Sequence, residues 1–294
     1  MHWNKIALIG VGLLGGSLGL ALKQRRLARE IVGFVRRNAS LAECEAKGAV
    51  DRATLDLKTA VDGAELIVLC TPIAQMLPLA EQMRPFISAE AIVTDVGSVK
   101  GSVVQELEPA LAGSRAHFIG SHPMAGAEKT GVGAAQANLF VGAICVVTPS
   151  AQPDAVALGK VERLWESVGG RLLRLSPAMH DELVSRSSHL PHVLAAALTN
   201  LVLSRAHPAE QAALCANGFR DTTRIASGSP EMWRDIALAN GDNLSRALTR
   251  LVADLEKFAE SLERKDSEAI SRFFETAKHQ RDAWSARVPS PSPE

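Results

Sequence analysis

The chain has 294 residues, in which 32 Lys and Arg balance 32 Asp and Glu. Compact cores usually divide above roughly 250 residues, so this length predicts one or two domains. A composition of 47% hydrophobic and 22% charged residues excludes a mostly disordered or fibrous chain, and the balanced charge makes neither nucleic acid nor an anionic membrane surface an expected partner.

Four cysteines, Cys44, Cys70, Cys145 and Cys215, lie far apart with no Cys-x-x-Cys pair, which argues against a zinc site or a disulfide framework and predicts a reducing, cytoplasmic setting. No apolar stretch reaches about 18 residues, and no basic segment leads into a long apolar run, so neither a membrane span nor a targeting segment is expected. The chain contains no Tyr. That excludes dehydrogenase chemistry in which a Tyr accepts the proton.

In chain order, short apolar runs at residues 5–10, 31–35, 64–71, 91–95, 117–120, 143–147 and 171–175 alternate with helix-length stretches. Runs that are apolar on both faces read as buried parallel strands, which predicts a doubly wound sheet. Beyond Pro177 the strand pattern stops, and helical patterns follow over 181–203 and from 243 to about 284. The expected fold class is therefore α/β: a doubly wound, Rossmann-type parallel sheet domain over 1–175, followed by an all-helical domain over 176–288 and a disordered tail, Pro-Ser-Pro-Ser-Pro-Glu, over 289–294. No Gly/Ser-rich linker separates the halves, so they are expected to pack closely.

Gly10-Val-Gly-Leu-Leu-Gly-Gly-Ser17 follows the first strand and opens a helix. Gly10, Gly12 and Gly15 permit a tight turn and close backbone approach, so that a pyrophosphate rests on the helix N-terminus at Leu13 and Leu14. Thr71, which ends the 64–71 run, and Pro72 after it join this expected cofactor-binding set. An NAD-preferring fold of this kind ends its second strand with an acid; here Val35 stands in that place and Arg36 and Arg37 follow. A guanidinium pair there suits a 2′-phosphate, so NADP is expected in preference to NAD, the plain alternative being two solvated arginines.

Thr94-Asp-Val-Gly-Ser-Val-Lys100 ends the fourth predicted strand on the ligand-binding side, and reads either as part of the site or as a capped turn. Gly120-Ser-His-Pro-Met-Ala-Gly-Ala-Glu128 puts His122 at the end of the fifth, followed by Pro and glycines that exclude helix. A histidine on such an edge is positioned to accept a proton near the nicotinamide. His189 and His192, three apart, share a helix face; no third ligand at suitable spacing appears, so they read as pocket-lining hydrogen-bonding groups with no metal. Arg220, Asp221 and Arg224, followed by Trp233 and Arg234, read either as a surface salt-bridge network or as a guanidinium fork for a substrate carboxylate.

In this order, the glycine turn, Asp95-Val-Gly-Ser-Val-Lys100, Gly120 to Glu128, Ser188-His-Leu-Pro-His192 and Phe219-Arg-Asp-Thr-Thr-Arg-Ile-Ala226 resemble the prephenate and arogenate (cyclohexadienyl) dehydrogenase family of tyrosine biosynthesis over about residues 5–285. The resemblance implies oxidative decarboxylation, with hydride passing from the ring carbinol carbon to NAD(P) and aromatisation driving loss of carbon dioxide. It implies that His122 accepts the proton of the ring hydroxyl, that Ser98 helps hold that histidine and the hydroxyl, and that Arg224 binds a substrate carboxylate. His189, His192, Asp221, Glu128 and Trp233 are implied around the substrate, and the helical half is implied to form a homodimer. Asp221, beside Arg224, is a carboxylate placed to pair with the ammonium of arogenate, so both substrates are expected.

Two rivals differ in class. A β-hydroxyacid dehydrogenase would lean on a helical-domain lysine, and residues 180–200 contain none. A non-enzymatic dinucleotide sensor would have no need of His122, Ser98 and Arg224 together.

Overall fold

Alternate residues of a strand face opposite sides of a sheet, so a strand apolar at every position needs cover on both. In the first strand, β1 (Trp3–Ile9), Ile6 and Leu8 enter one buried cluster with Leu18 and Leu22, while Ala7 and Ile9 enter another with Ile67 and Leu69. The computed structural model describes residues 2–127, 129–203 and 208–287, so the tail expected over 289–294 lies outside the described residues.

The remaining strands are β2 (Ala28–Phe34), β3 (Arg52–Thr54), β4 (Leu66–Leu69), β5 (Ile92–Asp95), β6 (His117–Pro123), β7 (Ile144–Thr148) and β8 (Arg171–Arg174). They form one sheet in the order β3-β2-β1-β4-β5-β6-β7-β8. Around it run α1 (Leu13–Gln24), α2 (Asn38–Ala46), α3 (Leu57–Val61), α4 (Ile73–Met83), α5 (Gly101–Leu111) and α6 (Ala155–Ser167). Every described element after β8 is helical: α7 (Pro177–Val184), α8 (Leu190–Val202), α9 (Pro208–Leu214), α10 (Asn217–Thr223), α11 (Pro230–Ala239), α12 (Gly241–Glu263) and α13 (Ser267–Arg287), with a π-helical turn at Ser185–His189 and a one-turn helix at Arg224–Ser227.

The sheet departs from the all-parallel expectation at one junction, where β7 runs antiparallel to β6 (Gly120↔Thr148, His122↔Val146). A parallel neighbour requires a crossover, usually a helix. The β6–β7 connection carries Gly126, Gly131, Gly133 and Gly142 and, among its described residues, only the single turn Val132–Ala134, so the chain turns back beside β6. β8 then pairs parallel to β7 after the α6 crossover. It lies at the sheet edge with Arg171, Leu173 and Arg174 exposed, so it is not the doubly covered strand its apolar centre suggests. The three-residue β3 is too short to leave a sequence pattern.

The helical stretches are also interrupted. Between α7 and α8 the π-turn precedes Pro191, whose missing N–H and bulky ring disfavour a regular α-turn there. The 243–284 pattern is two helices: Lys265 adopts left-handed φ +55°, and the Asp266 side chain accepts the Ala269 N–H to restart the chain as α13. By compactness, residues up to Asn243 form one unit and those from Leu244 a second. In the second, Phe258 packs on Phe273 (ring centroids 4.6 Å apart), and Phe273, Phe274 and Trp284 remain exposed.

Candidate active site

Strand order reverses between β1 and β4, and the crevice at the carboxyl ends of strands flanking such a switch point is where these sheets bind ligands. Gly10 sits there at φ +96°; a Cβ on it would lie 2.8 Å from the Cys70 carbonyl oxygen, and one on Gly15 would lie 2.1 Å from the Gly10 oxygen. These two glycines are required by the turn itself. Around Gly12, by contrast, an added Cβ meets nothing within 4 Å, which leaves space for a ligand. Gly12 caps α1 without a side-chain bond and no acid stands in the first turn, so the amides of Leu13, Leu14 and Gly15, which a helix leaves without an internal partner, lie at its positive end. Beside Gly10, Thr71 Oγ1 is buried without a hydrogen-bond partner, and Pro72 caps α4. Open backbone, free amides and an orphaned hydroxyl fit a dinucleotide pyrophosphate. At the neighbouring strand end Val35 is buried, whereas Arg36 and Arg37 are exposed and their guanidinium groups make no ion pair among the described residues.

On the same edge of the sheet, β6 carries His122, which is 8% exposed. Its Nδ1 lies 2.9 Å from His180 Nε2, and His180 Nδ1 lies 2.7 Å from Asp181 Oδ1. Asp181 accepts the backbone N–H of Lys100 at Oδ1 and of Gly101 at Oδ2, each at 2.7 Å. Below His122, the fully buried Lys100 ammonium pairs with Asp95 and donates to the Ser121 carbonyl at 2.9 Å, while Asp95 accepts the Ser121 N–H at 3.0 Å. Burial first, then Coulombic coupling to the neighbouring basic sites His180, Lys100 and His189, holds the His122 pKa well below the ordinary histidine value. It is therefore a neutral imidazole at pH 7.

The helical wall comes from α7 to α11. His189, at the end of the π-turn, is buried; Asn240 bridges its Nδ1 (3.2 Å) and the Asp181 carbonyl (2.9 Å), and the Ser98 backbone lies against it. His192 donates from Nδ1 to the Ser188 carbonyl at 2.9 Å and stacks on Trp233, with ring centroids 3.7 Å apart. The structure thus brings His122, His180, Asp181 and Lys100 into one bonded cluster, and joins His189, Asn240, Trp233 and His192 to it. Ser98 is half-buried on the β5–α5 loop, and no hydrogen bond joins it to His122; His180 is the partner. Asp221 on α10 and Arg224 are exposed, and the Arg224 turn packs on α8. Glu128 lies outside the described residues.

Burial pushes the His189 pKa down to about 4. The unfolded chain protonates this histidine near 6.5 whereas the folded chain resists it, so its contribution to stability is present above pH 6.5 and lost as pH falls towards 4, by about 3 kcal/mol. The melting temperature is expected to drop over that window, with a shallower fall in His189→Gln. An equally steep fall in that variant assigns the acid sensitivity to other groups.

Sequence reasoning did not single out His180, Asp181 or Asn240 as site residues, nor Asp95 and Lys100 as an ion pair. Adjacent His and Asp on a helix have no diagnostic spacing, and the Lys100–Asp95 pair forms only because the strand end folds back on itself. The available signal was the unusual placement of a Lys and an Asp at the end of an otherwise apolar strand.

Comparison with known proteins places these features in context. Residues 18–174 match the family model described as prephenate dehydrogenase, nucleotide-binding domain, and residues 176–276 match prephenate dehydrogenase, dimerization domain. The prephenate dehydrogenase of Bacillus subtilis is 35% identical over 290 residues, covering 97% of this chain and 77% of that protein. The cyclohexadienyl dehydrogenase of Zymomonas mobilis is 33% identical, with 95% of each chain covered. Among solved structures, the prephenate dehydrogenase of A. aeolicus in complex with hydroxyphenyl propionate and NAD+ superposes with a TM-score of 0.90 at 32% identity, covering 97% of this chain and 99% of that one. No helix among the described residues is long and apolar enough to cross a membrane.

Proposed function

The chain belongs to the prephenate dehydrogenase family, and from that premise we propose that it oxidatively decarboxylates prephenate, and arogenate as well, with a nicotinamide dinucleotide. The observation that carries this reading is the placement of His122, buried at the end of β6 on the same sheet edge as an open glycine turn. Bound at that turn, the dinucleotide supplies hydride acceptance. His122 takes the proton of the ring hydroxyl, and Ser98 steadies that hydroxyl from the adjoining loop. Arg224 holds a substrate carboxylate and Asp221, three residues earlier, meets the ammonium of arogenate. His189, His192 and Trp233 form the helical wall that excludes water. Glu128 is assigned to the pocket on the resemblance alone. Residues 1–175 serve the dinucleotide and 176–288 the substrate and the dimer.

NADP is the preferred cofactor in this reading, supported by the missing acid at Val35 and the exposed Arg36 and Arg37, which make no ion pair among the described residues. Replacing both arginines by Ala is expected to raise the NADP KM about tenfold with little change for NAD, since a hydrogen bond to a charged group contributes about 1.5–3 kcal/mol and the site is solvent-exposed. A better kcat/KM with NAD in the unaltered protein overturns the phosphate clamp. A homodimer through the helical half is supported by the exposed Phe273, Phe274 and Trp284, and a cytoplasmic setting by four free thiols. Initial rates with prephenate and arogenate, each with NAD and NADP, test the whole reading: turnover is expected with both substrates, and none with either refutes the activity.

A further inference from the structure

Asp181 is nearly buried, and its two oxygens accept the first backbone N–H groups at the start of α5, from Lys100 and Gly101. An aspartate carboxylate only accepts, and both of its oxygens already take a backbone N–H here. His180, wholly buried and 2.7 Å from Oδ1, must therefore present an N–H at Nδ1, and a neutral imidazole protonated there has its lone pair at Nε2. That lone pair lies 2.9 Å from His122 Nδ1, so it accepts a proton carried by His122 Nδ1, which leaves the lone pair of His122 at Nε2. Two adjacent side chains of α7, Asp181 and His180, thus specify one tautomer of His122.

We propose that His180 is a positioning residue for His122, acting with Asp181 to hold it as the Nδ1–H tautomer and to stabilise the imidazolium that forms when Nε2 takes a proton. This rests on the reading of His122 as the base. In that step the hydroxyl O–H bond breaks and a His122 Nε2–H bond forms; the O–H electron pair becomes the second carbon–oxygen bond as the C–H pair of the same carbon departs as hydride, for which a bound nicotinamide dinucleotide would be the acceptor. His122 then carries the positive charge and still donates Nδ1–H to His180, which donates to the Asp181 carboxylate. A buried cation is costly without such a counter-charge. Among the described residues, the groups facing His180 and His122 are Asp181 from α7, Lys100 with its partner Asp95 at the β5–α5 end, and His189 from the π-turn with Asn240 bonded to it. Asp181 is the carboxylate in this set not already paired with the Lys100 ammonium, so it is the one free to balance a charge on the two histidines.

The same carboxylate also joins α7 to the start of α5, and Lys100 Nζ holds the Ser121 carbonyl next to His122. Orientation of the base is thereby set from both sides, by the sheet through Lys100 and by the helical wall through His180. Such an arrangement keeps an acceptor aimed at one point without drawing on solvent.

Two variants and two readouts test it in the full-length protein. His180→Leu removes the acceptor; His180→Gln replaces it with an amide oxygen at a comparable reach. His180→Leu is expected to lower kcat ten- to hundredfold with the prephenate KM within about threefold, and to shift the acidic limb of the kcat–pH profile. His180→Gln is expected to recover most of the rate. Imidazole 15N NMR of the protein without substrate, at pH 7, is expected to show His122 protonated at Nδ1 in the unaltered chain and as a tautomer mixture in His180→Leu. Finding His122 protonated at Nε2 in the unaltered chain, or Leu and Gln variants with the same rate and pH profile, overturns the proposal. If the unaltered protein turns over neither substrate, the functional reading fails, while the tautomer measurement still decides whether His180 orients His122.

Discussion

Replacing His122 by Asn lowers turnover by about two to four orders of magnitude and leaves dinucleotide affinity within a few fold, the usual scale for loss of a positioned general base. Asn keeps a polar group of similar reach at the end of β6, so the fold and the glycine turn on the other side of the switch point are undisturbed, but its amide has no basic nitrogen. The environment explains why the loss is large. A solvent histidine is partly protonated near neutral pH, whereas burial keeps His122 free of a proton there, ready to accept one. Stopped-flow measurement of reduced-cofactor formation, with cofactor affinity measured by titration calorimetry, separates the two effects. Near-normal turnover in His122→Asn removes the assignment.

Arg224→Ala raises the prephenate KM about ten- to hundredfold with a smaller effect on kcat, because a charge-assisted hydrogen bond to a carboxylate contributes about 1.5–3 kcal/mol. The exposure of Arg224 places the expectation in that range and not at the several kcal/mol of a fully desolvated pair. Arg224→Lys recovers only part of the loss, since an ammonium cannot make the paired bonds of a planar guanidinium. The packing of its one-turn helix on α8, the helix that bears His192, makes the position sensitive to the wall against which substrate would rest. Steady-state KM values for the three proteins check this, and an unchanged KM in Arg224→Ala returns the residue to a surface role.

Much of the fold was legible in the chain because buried strands leave uninterrupted apolar runs: all seven runs stand where strands form, although the last is the exposed edge strand β8. The glycine turn was legible for a related reason: Gly10 and Gly15 occupy positions where a Cβ would collide with backbone, so the residue type itself reports the geometry. His122 stood out because it follows a strand and precedes segments that cannot be helical. The antiparallel turn of β7 was not legible, since an apolar strand reads the same in either direction and only the missing crossover decides. Nor was the break at Lys265, where one residue in the left-handed region interrupts an otherwise continuous amphipathic pattern.

The sequence by itself determined the fold class, the tight glycine turn after β1 and the identity of the histidine at the strand end, because each depends on local patterns of burial, backbone freedom and periodicity. Tertiary structure alone decided what that histidine touches. His180 and Asp181 lie 58 and 59 residues beyond His122, and Asn240 is 59 beyond Asp181. Hydrogen bonds over such separations follow from how the helices dock on the sheet edge, and no spacing along the chain encodes them. The Lys100–Asp95 pair belongs to the same class: two charges five residues apart read as solvated ends of a turn until the packing around them removes the water.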